Sequence, residues 1–553
     1  MLLSACVALA VLAPFFCLGT ASGHDIAFHM ASWLDAAGQW KQGVIFPRWT
    51  EWANFGFGEP RFLFYPPLSW LFGAFLGWIL PWSSVTAVLI ACVQTFAGVS
   101  AYALCRRIAD SRFAALLAAA CFAANPYSLL IIYMRSDFAE LLAIAIFPLL
   151  MLATLRFIEL LPGDEGGRYS RLVLFALLFC AVWLCNAPAG VIATYSVTLL
   201  FTVATLRQRS LSVLVRGASG MALGFGLAGF YLIPAIYEQR WVQISAALYA
   251  GLAPADNFLY ARTSDAEHDS FNRIASHIAV LLVVWTLCAA VAACRGSSRK
   301  IAGKLQSDSL MASVTLSTAA ILLMFPVTGI LWRYLPELRF VQFPWRWMSI
   351  LALCAMTFTA LSARGRMRWM WLLCAAFAIT GSARYMVKHS WWDTEDMPTL
   401  QAAIQDGTGF EGADEYDPAG DDHADLPQKI PQAFLLSTNG KAETSTNAKV
   451  VIEKWTAEHR SVRVFTPQRS RVELRLLNFP AWRVTVNGTP VSPQHPEETG
   501  QMIVPVPSGQ SELHIDFTRT ADRTVGGWTS IVSVAASIAL LFWKRRLPPS
   551  AKA

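Results

Sequence analysis

Charge is scarce in this chain. Asp, Glu, Lys and Arg make up 15% of its 553 residues, 55% are hydrophobic, and the mean hydropathy is +0.44. This composition excludes a single soluble core, as well as secreted, disordered and nucleic-acid-binding proteins. About twelve apolar spans of about 20 residues would leave roughly 310 residues for loops and an extramembrane domain. The sequence therefore predicts a large polytopic membrane protein.

Cysteine is missing where a disulfide framework would need it. All 11 cysteines lie in or at the ends of apolar runs, and the long polar stretch 386–526 has none. No CxxC or Cys/His spacing indicates zinc, and we find no glycine-rich phosphate loop, no Ser/His/Asp spacing and no internal repeat. Buried cysteines of this kind usually behave as small apolar side chains.

Apolar runs and the charges between them predict a topology. Twelve runs predict membrane helices near residues 2–19, 84–105, 113–133, 138–155, 172–187, 189–206, 217–236, 277–294, 310–332, 347–363, 369–385 and 527–543. Every second connection is basic, so both termini are expected in the cytoplasm. The cytoplasmic connections carry about +15 and the outer side about −8, which together give the net +7. An uncleaved first helix is favoured over a signal peptide cleaved near Thr20-Ala21-Ser22.

Three segments predicted on the outer side are too long for turns. Residues 20–83 include an apolar piece, Pro67–Leu80, that is too short to span and is typical of a re-entrant or interfacial helix. The second segment covers 237–276. The third, 386–526, opens with an acidic stretch without Lys or Arg, Asp393–Asp425. A solvated linker and a calcium-binding segment both fit this stretch, and we interpret it as a linker. The predicted domains are 1–385, 386–526, and a final helix with a basic cytoplasmic tail at 527–553.

The later part of 386–526 has the pattern of β-strands. Apolar and polar residues alternate over Ser461–Phe465, Arg471–Leu477, Trp482–Val486, Gln501–Val506 and Glu512–Phe517. Asn487-Gly488 is a strong signal for a two-residue hairpin. The sequence predicts a small antiparallel, sandwich-like domain outside the cytoplasm, just before the last helix.

The first candidate site group follows the first predicted helix. His24, Asp25 and His29 stand there, with Arg48 further along the same segment. A carboxylate half buried under aromatic residues at a helix end is expected to have a raised pKa and to deprotonate a hydroxyl. The alternative is that Asp25 is a solvated loop charge. The spacing of His24 and His29 matches no standard metal pair.

The second group, Arg135–Glu140, lies on a short connection between two predicted helices. Such a turn would hold Asp137 near the membrane surface, where it could join Asp25 in orienting a substrate or a divalent cation. The alternative is a helix cap, because Asp is a favoured N-cap residue.

The third group breaks the sidedness rule. Arg333, Arg339 and Arg346 stand among aromatic residues on the predicted outer side. A guanidinium group makes charge-assisted, often bidentate hydrogen bonds to phosphate, so a phosphate-bearing substrate is one explanation. Pairing with Glu337 or with interfacial lipid is the other.

Together these groups resemble the GT-C superfamily of membrane glycosyltransferases. The similarity is greatest to a bacterial branch described as YfhO-like or 6-pyruvoyl-tetrahydropterin synthase-related membrane proteins. The resemblance implies an all-α polytopic membrane protein of about twelve helices, with a periplasmic β-sandwich-like domain, in the bacterial cytoplasmic membrane. The motifs that carry it are Gly23-His24-Asp25, Pro47-Arg48-Trp49, Phe64-Tyr65-Pro66-Pro67-Leu68, Gln342-Phe343-Pro344-Trp345-Arg346, Gly412-Ala413-Asp414-Glu415-Tyr416 and Asn478-Phe479-Pro480-Ala481-Trp482.

The resemblance also implies roles. Asp25 matches the general base and Asp137 a second acidic residue, while Arg339 and Arg346 match residues that hold the carrier phosphate. Further substrate-binding candidates are His24, His29, Arg48, Glu415 and Tyr416. The implied reaction is an inverting transfer from a polyprenyl-phosphate sugar to a glycan, lipid or protein acceptor. The first loop departs from the Asp-Glu or Asp-x-Asp pattern of several relatives, which leaves a divalent cation (Mg, Mn or Ca) possible without being required.

Two other functions fit a polytopic, aromatic-rich chain. One is a transporter or flippase of a lipid-linked glycan, for which we expect broken helices or polar residues in the middle of spans, often in two related halves. The other is a non-catalytic envelope assembly protein, in which Asp25 and the late arginines would be unconnected. Asp25, Asp137 and Arg346 lining one cavity would favour the enzyme.

Overall fold

The computed structural model describes residues 1–158, 165–297, 304–418, 426–436, 448–496 and 499–543. Most of this part of the chain is helical. The helices are α1 (Leu2–Leu18), α2 (Ile26–Lys41), α3 (Ala53–Gly56), α4 (Arg61–Phe64), α5 (Pro67–Ile79), α6 (Trp82–Ile108), α7 (Arg112–Ala123), α8 (Pro126–Leu130), α9 (Phe138–Ile158), α10 (Glu165–Cys185), α11 (Ala187–Gln208), α12 (Leu211–Leu227), α13 (Gly229–Glu238), α14 (Ala266–Ser297), α15 (Lys304–Leu323), α16 (Gly329–Tyr334), α17 (Met348–Ser362), α18 (Met367–His389), α19 (Asp396–Gln405) and α20 (Ala521–Trp543).

Seven helical stretches among the described residues are long and apolar enough to cross a membrane, or nine if each of two bent pairs is one span. The bent pairs are α12 with α13, at 79°, and α15 with the short helices after it, at 93°. The predicted count of twelve is not confirmed. One reason is α17, which has 15 residues, all of them buried. A helix that is apolar all round and enclosed by protein resembles a span in sequence without having the length of one.

The segment 20–83 is folded onto the helical domain. Helix α2 packs against α5, the apolar piece predicted to be re-entrant or interfacial, which forms a 13-residue helix. Strand β1 (Thr20–Ala21) pairs antiparallel with β2 (Trp392–Asp393) and so connects this segment to the chain that follows α18.

The acidic stretch interpreted as a linker is largely structured. It contains helix α19, which packs against α2 and contributes Leu400 and Ile404 to the apolar core. Further on, the Ala413 backbone N–H donates to Glu59 Oε2 at 2.9 Å. Leu400 and Ile404 are four residues apart and so lie on the same face of α19, which explains the packing. The linker interpretation rested on the charges of the stretch and not on these apolar positions. Residues 419–425 of the stretch lie outside the described residues.

The tail domain consists of two antiparallel sheets around one apolar core. All five predicted strands are present, and the Asn487-Gly488 turn joins two adjacent strands, with φ of 51° and 77° at its two residues. The predicted sheet domain is therefore confirmed, while its periplasmic location stays a prediction. The sheet orders are β4-β5-β10-β7-β8 and β3-β6-β9, with strands β3 (Ala433–Leu436), β4 (Lys449–Trp455), β5 (His459–Thr466), β6 (Ser470–Leu477), β7 (Trp482–Val486), β8 (Thr489–Val491), β9 (Gln501–Val506) and β10 (Gly509–Phe517).

Candidate functional site

The chain before α2 is hydrogen-bonded to the turn before α9. The backbone N–H of Asp25 donates to the Arg135 carbonyl at 2.8 Å, and the Gly23 N–H donates to Ser136 Oγ at 3.1 Å. A Cβ at Gly23 would lie 2.6 Å from the Arg135 carbonyl carbon, so only glycine permits this approach. Two candidate groups that are 110 residues apart in sequence are therefore held side by side.

The turn itself has an unusual backbone. Residues Ile131–Arg135 form a π-helical turn, a feature often found at functional sites, and Ser136 follows in the left-handed conformation with φ of 57°. Asp137 comes directly before α9 and caps it, because its Oδ1 accepts from the Glu140 N–H at 2.9 Å. The helix-cap alternative is thus correct, and it uses only one oxygen of Asp137.

Five side chains form an ionic network that we name the charged cluster: Asp25, Arg135, Asp137, Glu140 and Arg346. Arg135 Nη2 lies 2.6 Å from Asp25 Oδ2 and 3.5 Å from Asp137 Oδ2. Arg346 Nη2 lies 3.1 Å from the same Asp137 oxygen, and its Nε lies 3.1 Å from Glu140 Oε2. The geometry thus brings Asp25, Asp137 and Arg346 together, with Arg135 between the two aspartates.

Asp25 is the open end of the charged cluster. Its side chain is 34% exposed, whereas those of the other four members are 5% exposed or less. Burial raises the pKa of Asp25, but the charge and hydrogen bond of Arg135 outweigh it, so the pKa lies below its ordinary value of 3.8. The predicted raised pKa of Asp25 is wrong, because the prediction was based on burial and did not include an arginine partner.

Both predicted histidines lie beside the charged cluster. His29, on α2, is 1% exposed, and its Nε2 lies 3.9 Å from Asp137 Oδ1. Neither of its ring nitrogens makes a hydrogen bond within the described part of the chain. The His24 ring packs edge-on against Phe271, with 4.7 Å between centroids. Burial lowers the pKa of both histidines, and Arg135 adds to this effect at His24, so both favour the neutral form.

The tail contributes one aromatic side chain, Tyr416, to a group of rings that extends to His29. The rings of Tyr416 and Phe64 are stacked with 5.9 Å between centroids, and Tyr416 lies 6.4 Å from Phe28. Tyr65 links this group to the cluster, since its ring centroid is 5.9 Å from that of His29. Burial raises the pKa of the Tyr65 phenol well above 10, and the charge of Asp137 adds to the effect.

A second ionic group is closed to solvent, and we name it the closed pair: Glu59 and Arg61. Arg61 Nε donates to Glu59 Oε1 at 2.5 Å, and these side chains are 1% and 0% exposed. Arg61 Nη1 also donates to Ser32 Oγ on α2 at 3.1 Å. Glu415 lies near this pair, and burial raises its pKa to about 7, with a further contribution from the charge of Glu59.

The predicted arginines have separate locations. Each nitrogen of Arg346 donates within the protein, and Nη1 donates to the Val341 carbonyl at 3.0 Å. The phosphate role of Arg346 stays a prediction. Arg339 is exposed and lies over the Phe340 ring at 4.9 Å. Arg48 lies over the Phe46 ring at 4.4 Å, and burial, with the charge of nearby Arg523, lowers its pKa to about 10.

The charged cluster does not fit a divalent cation. Asp25 and Asp137 supply suitable oxygens, but the Arg135 guanidinium lies between them, and its positive charge repels a second cation. Among the described residues, no group of three His, Cys, Asp or Glu side chains is arranged to hold a metal ion.

Three members of this region were missed in the sequence. Arg135 and Glu140 stood in the second candidate group without a role, and Tyr127, whose hydroxyl donates to Glu140 Oε1, was not considered. The sequence does contain a signal for Arg135, because an arginine on the predicted outer side breaks the sidedness rule, as the arginines of the third candidate group do. Glu140 and Tyr127 lie within apolar runs, where a single polar residue carries little pattern.

Comparison with known proteins finds a matching family model and a weak similarity to solved structures. A family model described as a 6-pyruvoyl-tetrahydropterin synthase-related domain, of a membrane protein, matches residues 62–388, more than half of the chain. No curated protein matches the chain significantly.

Among solved structures, the oligosaccharyltransferase AglB of the archaeon Archaeoglobus fulgidus, in complex with an inhibitory peptide and a dolichol-phosphate, matches 74% of this chain and 56% of its own, with 13% identity and a TM-score of 0.40. The apo form of the Archaeoglobus fulgidus enzyme has the same coverage and identity, with a TM-score of 0.38. The chain thus spans little more than half the length of these structures.

Proposed function

The chain belongs to the 6-pyruvoyl-tetrahydropterin synthase-related family of membrane proteins, and on that premise we propose that it is a membrane glycosyltransferase that works at the charged cluster. Its donor is a sugar linked to a polyprenyl phosphate, and its acceptor is a glycan, lipid or protein of the cell envelope. The reaction takes place on the outer face of the bacterial cytoplasmic membrane, with inversion at the anomeric carbon.

In the proposed reaction, Asp25 acts as the general base. Its carboxylate takes the proton of the acceptor hydroxyl while the hydroxyl oxygen attacks the anomeric carbon. The bond from that carbon to the carrier phosphate breaks, and the phosphate leaves as an anion. Because this leaving group is anionic, the step needs no general acid, unlike the hydrolysis of a glycosidic bond by two carboxylates. Arg346 holds Asp137, Asp137 contacts Arg135, and Arg135 in turn orients Asp25.

The observation that carries the proposal is the exposure of Asp25 in an otherwise buried ionic network. A lowered pKa keeps the carboxylate ionised at neutral pH, which a base requires. The acceptor hydroxyl becomes more acidic as its oxygen bonds to the anomeric carbon in the transition state. A carboxylate of low pKa can therefore accept the proton at that point.

The remaining candidates receive roles that follow their locations. Exposed Arg339, among aromatic residues, is proposed to meet the carrier phosphate, since a guanidinium group suits phosphate and aromatic residues suit the headgroup layer. Tyr416 and Glu415 are proposed to contact the acceptor from the tail, and His24 and His29 to line the sugar position.

Carrier release tests the proposal. Purified protein is incubated with a panel of polyprenyl-phosphate sugars, and the free polyprenyl phosphate is measured for wild type and Asp25→Asn. The matched control is Asp110→Asn, because Asp110 is likewise paired with an arginine, Arg364, but lies outside the cluster. We expect release by wild type and Asp110→Asn with at least one sugar. Release that Asp25→Asn retains would refute the role of Asp25.

One observation favours the transport alternative. The two bent helix pairs are the kind of broken helix expected in a transporter. A liposome assay that follows movement of a lipid-linked sugar between leaflets separates the two functions. Movement without carrier release would favour a flippase, and release without movement would favour the transferase.

A further inference from the structure

Three side chains of the types that bind divalent cations converge near the open end of the charged cluster. They are the carboxylates of Asp25 and Asp137 and the imidazole of His29. Carboxylate oxygens suit magnesium, manganese and calcium, and a neutral imidazole nitrogen suits transition metals. His29 lies buried 3.9 Å from Asp137, with both ring nitrogens free of hydrogen bonds in the described part of the chain.

A guanidinium group lies between the two carboxylates, where a cation bound to both of them would lie. Arg135 Nη2 contacts Asp25 Oδ2 at 2.6 Å and Asp137 Oδ2 at 3.5 Å, and thus bridges both carboxylates. Its Nε and Nη1 are buried without hydrogen-bond partners among the described residues, and its guanidinium carbon lies 4.8 Å from the Phe343 ring centroid. The aromatic ring and the bridge together fix Arg135 in place.

We infer that Arg135 takes the place of a divalent cation at the Asp25–Asp137 pair, as a positioning residue. It supplies the positive charge that neutralises two neighbouring carboxylates and fixes the orientation of Asp25. The role of Asp25 rests on the proposed function, but the exclusion of a cation does not, because it follows from the position of Arg135 alone.

The charges of the cluster predict how the removal of Arg135 changes cation binding. With Arg135 present, three carboxylates and two guanidinium groups leave little net attraction for a cation. Without Arg135, Asp25 and Asp137 lose the group that bridges them, and His29 remains as a neutral ligand beside them. Replacing Arg135 by an uncharged side chain of similar length should therefore create a cation site where the wild type has none.

Manganese binding tests this inference. Mn²⁺ is titrated into purified full-length protein in detergent, and bound Mn²⁺ is measured by electron paramagnetic resonance. We expect Arg135→Met to bind Mn²⁺ at least about tenfold more tightly than wild type. The matched control is Arg135→Lys, which keeps the positive charge and should resemble wild type. The double variant Arg135→Met/Asp137→Asn should lose the binding that Arg135→Met gained.

Other outcomes overturn the inference. Wild type that binds one Mn²⁺ per chain, with binding lost in Asp25→Asn, would show that the cluster accommodates a cation beside Arg135. Equal binding by Arg135→Lys and Arg135→Met would show that charge is not the reason for exclusion. If Arg135→Met does not fold, the wild-type titration alone decides. Because manganese binding is read without any sugar donor, it stands apart from the carrier-release assay of the proposed function.

Discussion

The charged cluster and the closed pair differ in one property, which is access to solvent. Both join buried arginines to buried carboxylates, and both contact α2 or the chain just before it. In the closed pair, Glu59 and Arg61 are at most 1% exposed, and Arg61 is bonded to Ser32 as well. In the charged cluster, Asp25 is 34% exposed. A buried ion pair by itself therefore does not indicate a functional site. Access to Asp25 is what distinguishes the charged cluster from the closed pair.

The largest expected effect concerns the open end. Asp25→Asn removes the proposed base while keeping the size of the side chain, so we expect carrier release to fall by about 10²- to 10⁴-fold. The unfolding midpoint in detergent should change little, because Arg135 retains Asp137 as a partner. A large loss of thermal stability with a modest loss of activity would show that Asp25 is a structural residue, like the members of the closed pair.

The closed pair should show the opposite profile. Arg61→Met leaves the carboxylate of Glu59 buried without its cation, so we expect a loss of about 3–5 kcal/mol in the free energy of unfolding. The double variant Glu59→Gln/Arg61→Met should recover much of that loss, since no uncompensated charge remains. Thermal unfolding in detergent, followed by tryptophan fluorescence, provides the measurement. Equal destabilisation by the single and double variants would contradict the pairing.

A smaller effect tests how the open cluster is assembled. Gly23→Ala places a Cβ 2.6 Å from the backbone of Arg135, so the two loops must separate, at a cost of about 1–3 kcal/mol and with loss of activity. Gly38→Ala is the control, because a Cβ there meets nothing within 4 Å and Gly38 lies inside α2. That change should stabilise the helix by about 0.5–1 kcal/mol. Wild-type activity in Gly23→Ala would show that the loops need not touch.

The smallest expected effect is in the pH profile. The pKa of Asp25 lies below 3.8 and those of His24 and His29 lie below 6.5. A carboxyl group whose pKa is lowered stays ionised above that value and loses its charge only as the pH falls through it. Carrier release should therefore not decline from about pH 8 to about pH 6.5. An acid limb centred within that range would mean that burial, and not Arg135, controls the carboxylate.

The sequence predicted the tail sheet well, and its alternating strands and Asn487-Gly488 turn are local patterns. Strand β4 was missed because most of its residues are exposed, so it has no alternation. The helix count was less predictable, since some apolar runs form helices shorter than the roughly 20 residues of a typical span, and α17 has 15.

Within the site, Asp25 and Asp137 were recognisable as acids at helix ends. Their connection through Arg135 was not, because it depends on a tertiary contact between two loops. The same limitation explains the wrong direction predicted for the pKa of Asp25. A shift caused by burial could be guessed from the aromatic neighbours, whereas a shift caused by an ion pair requires the partner to be known.

The pairing of β1 with β2 has a consequence for the order in which the protein can be assembled during synthesis. Ser22 Oγ donates to Asp396 Oδ2 at 2.7 Å across 374 positions of the chain. Asp25 is synthesised long before the chain that fixes this segment, which follows α18. Tyr416, which completes the aromatic surroundings of His29, is made later still. The site can therefore mature only after Tyr416 has been synthesised, and contacts so distant in sequence form slowly.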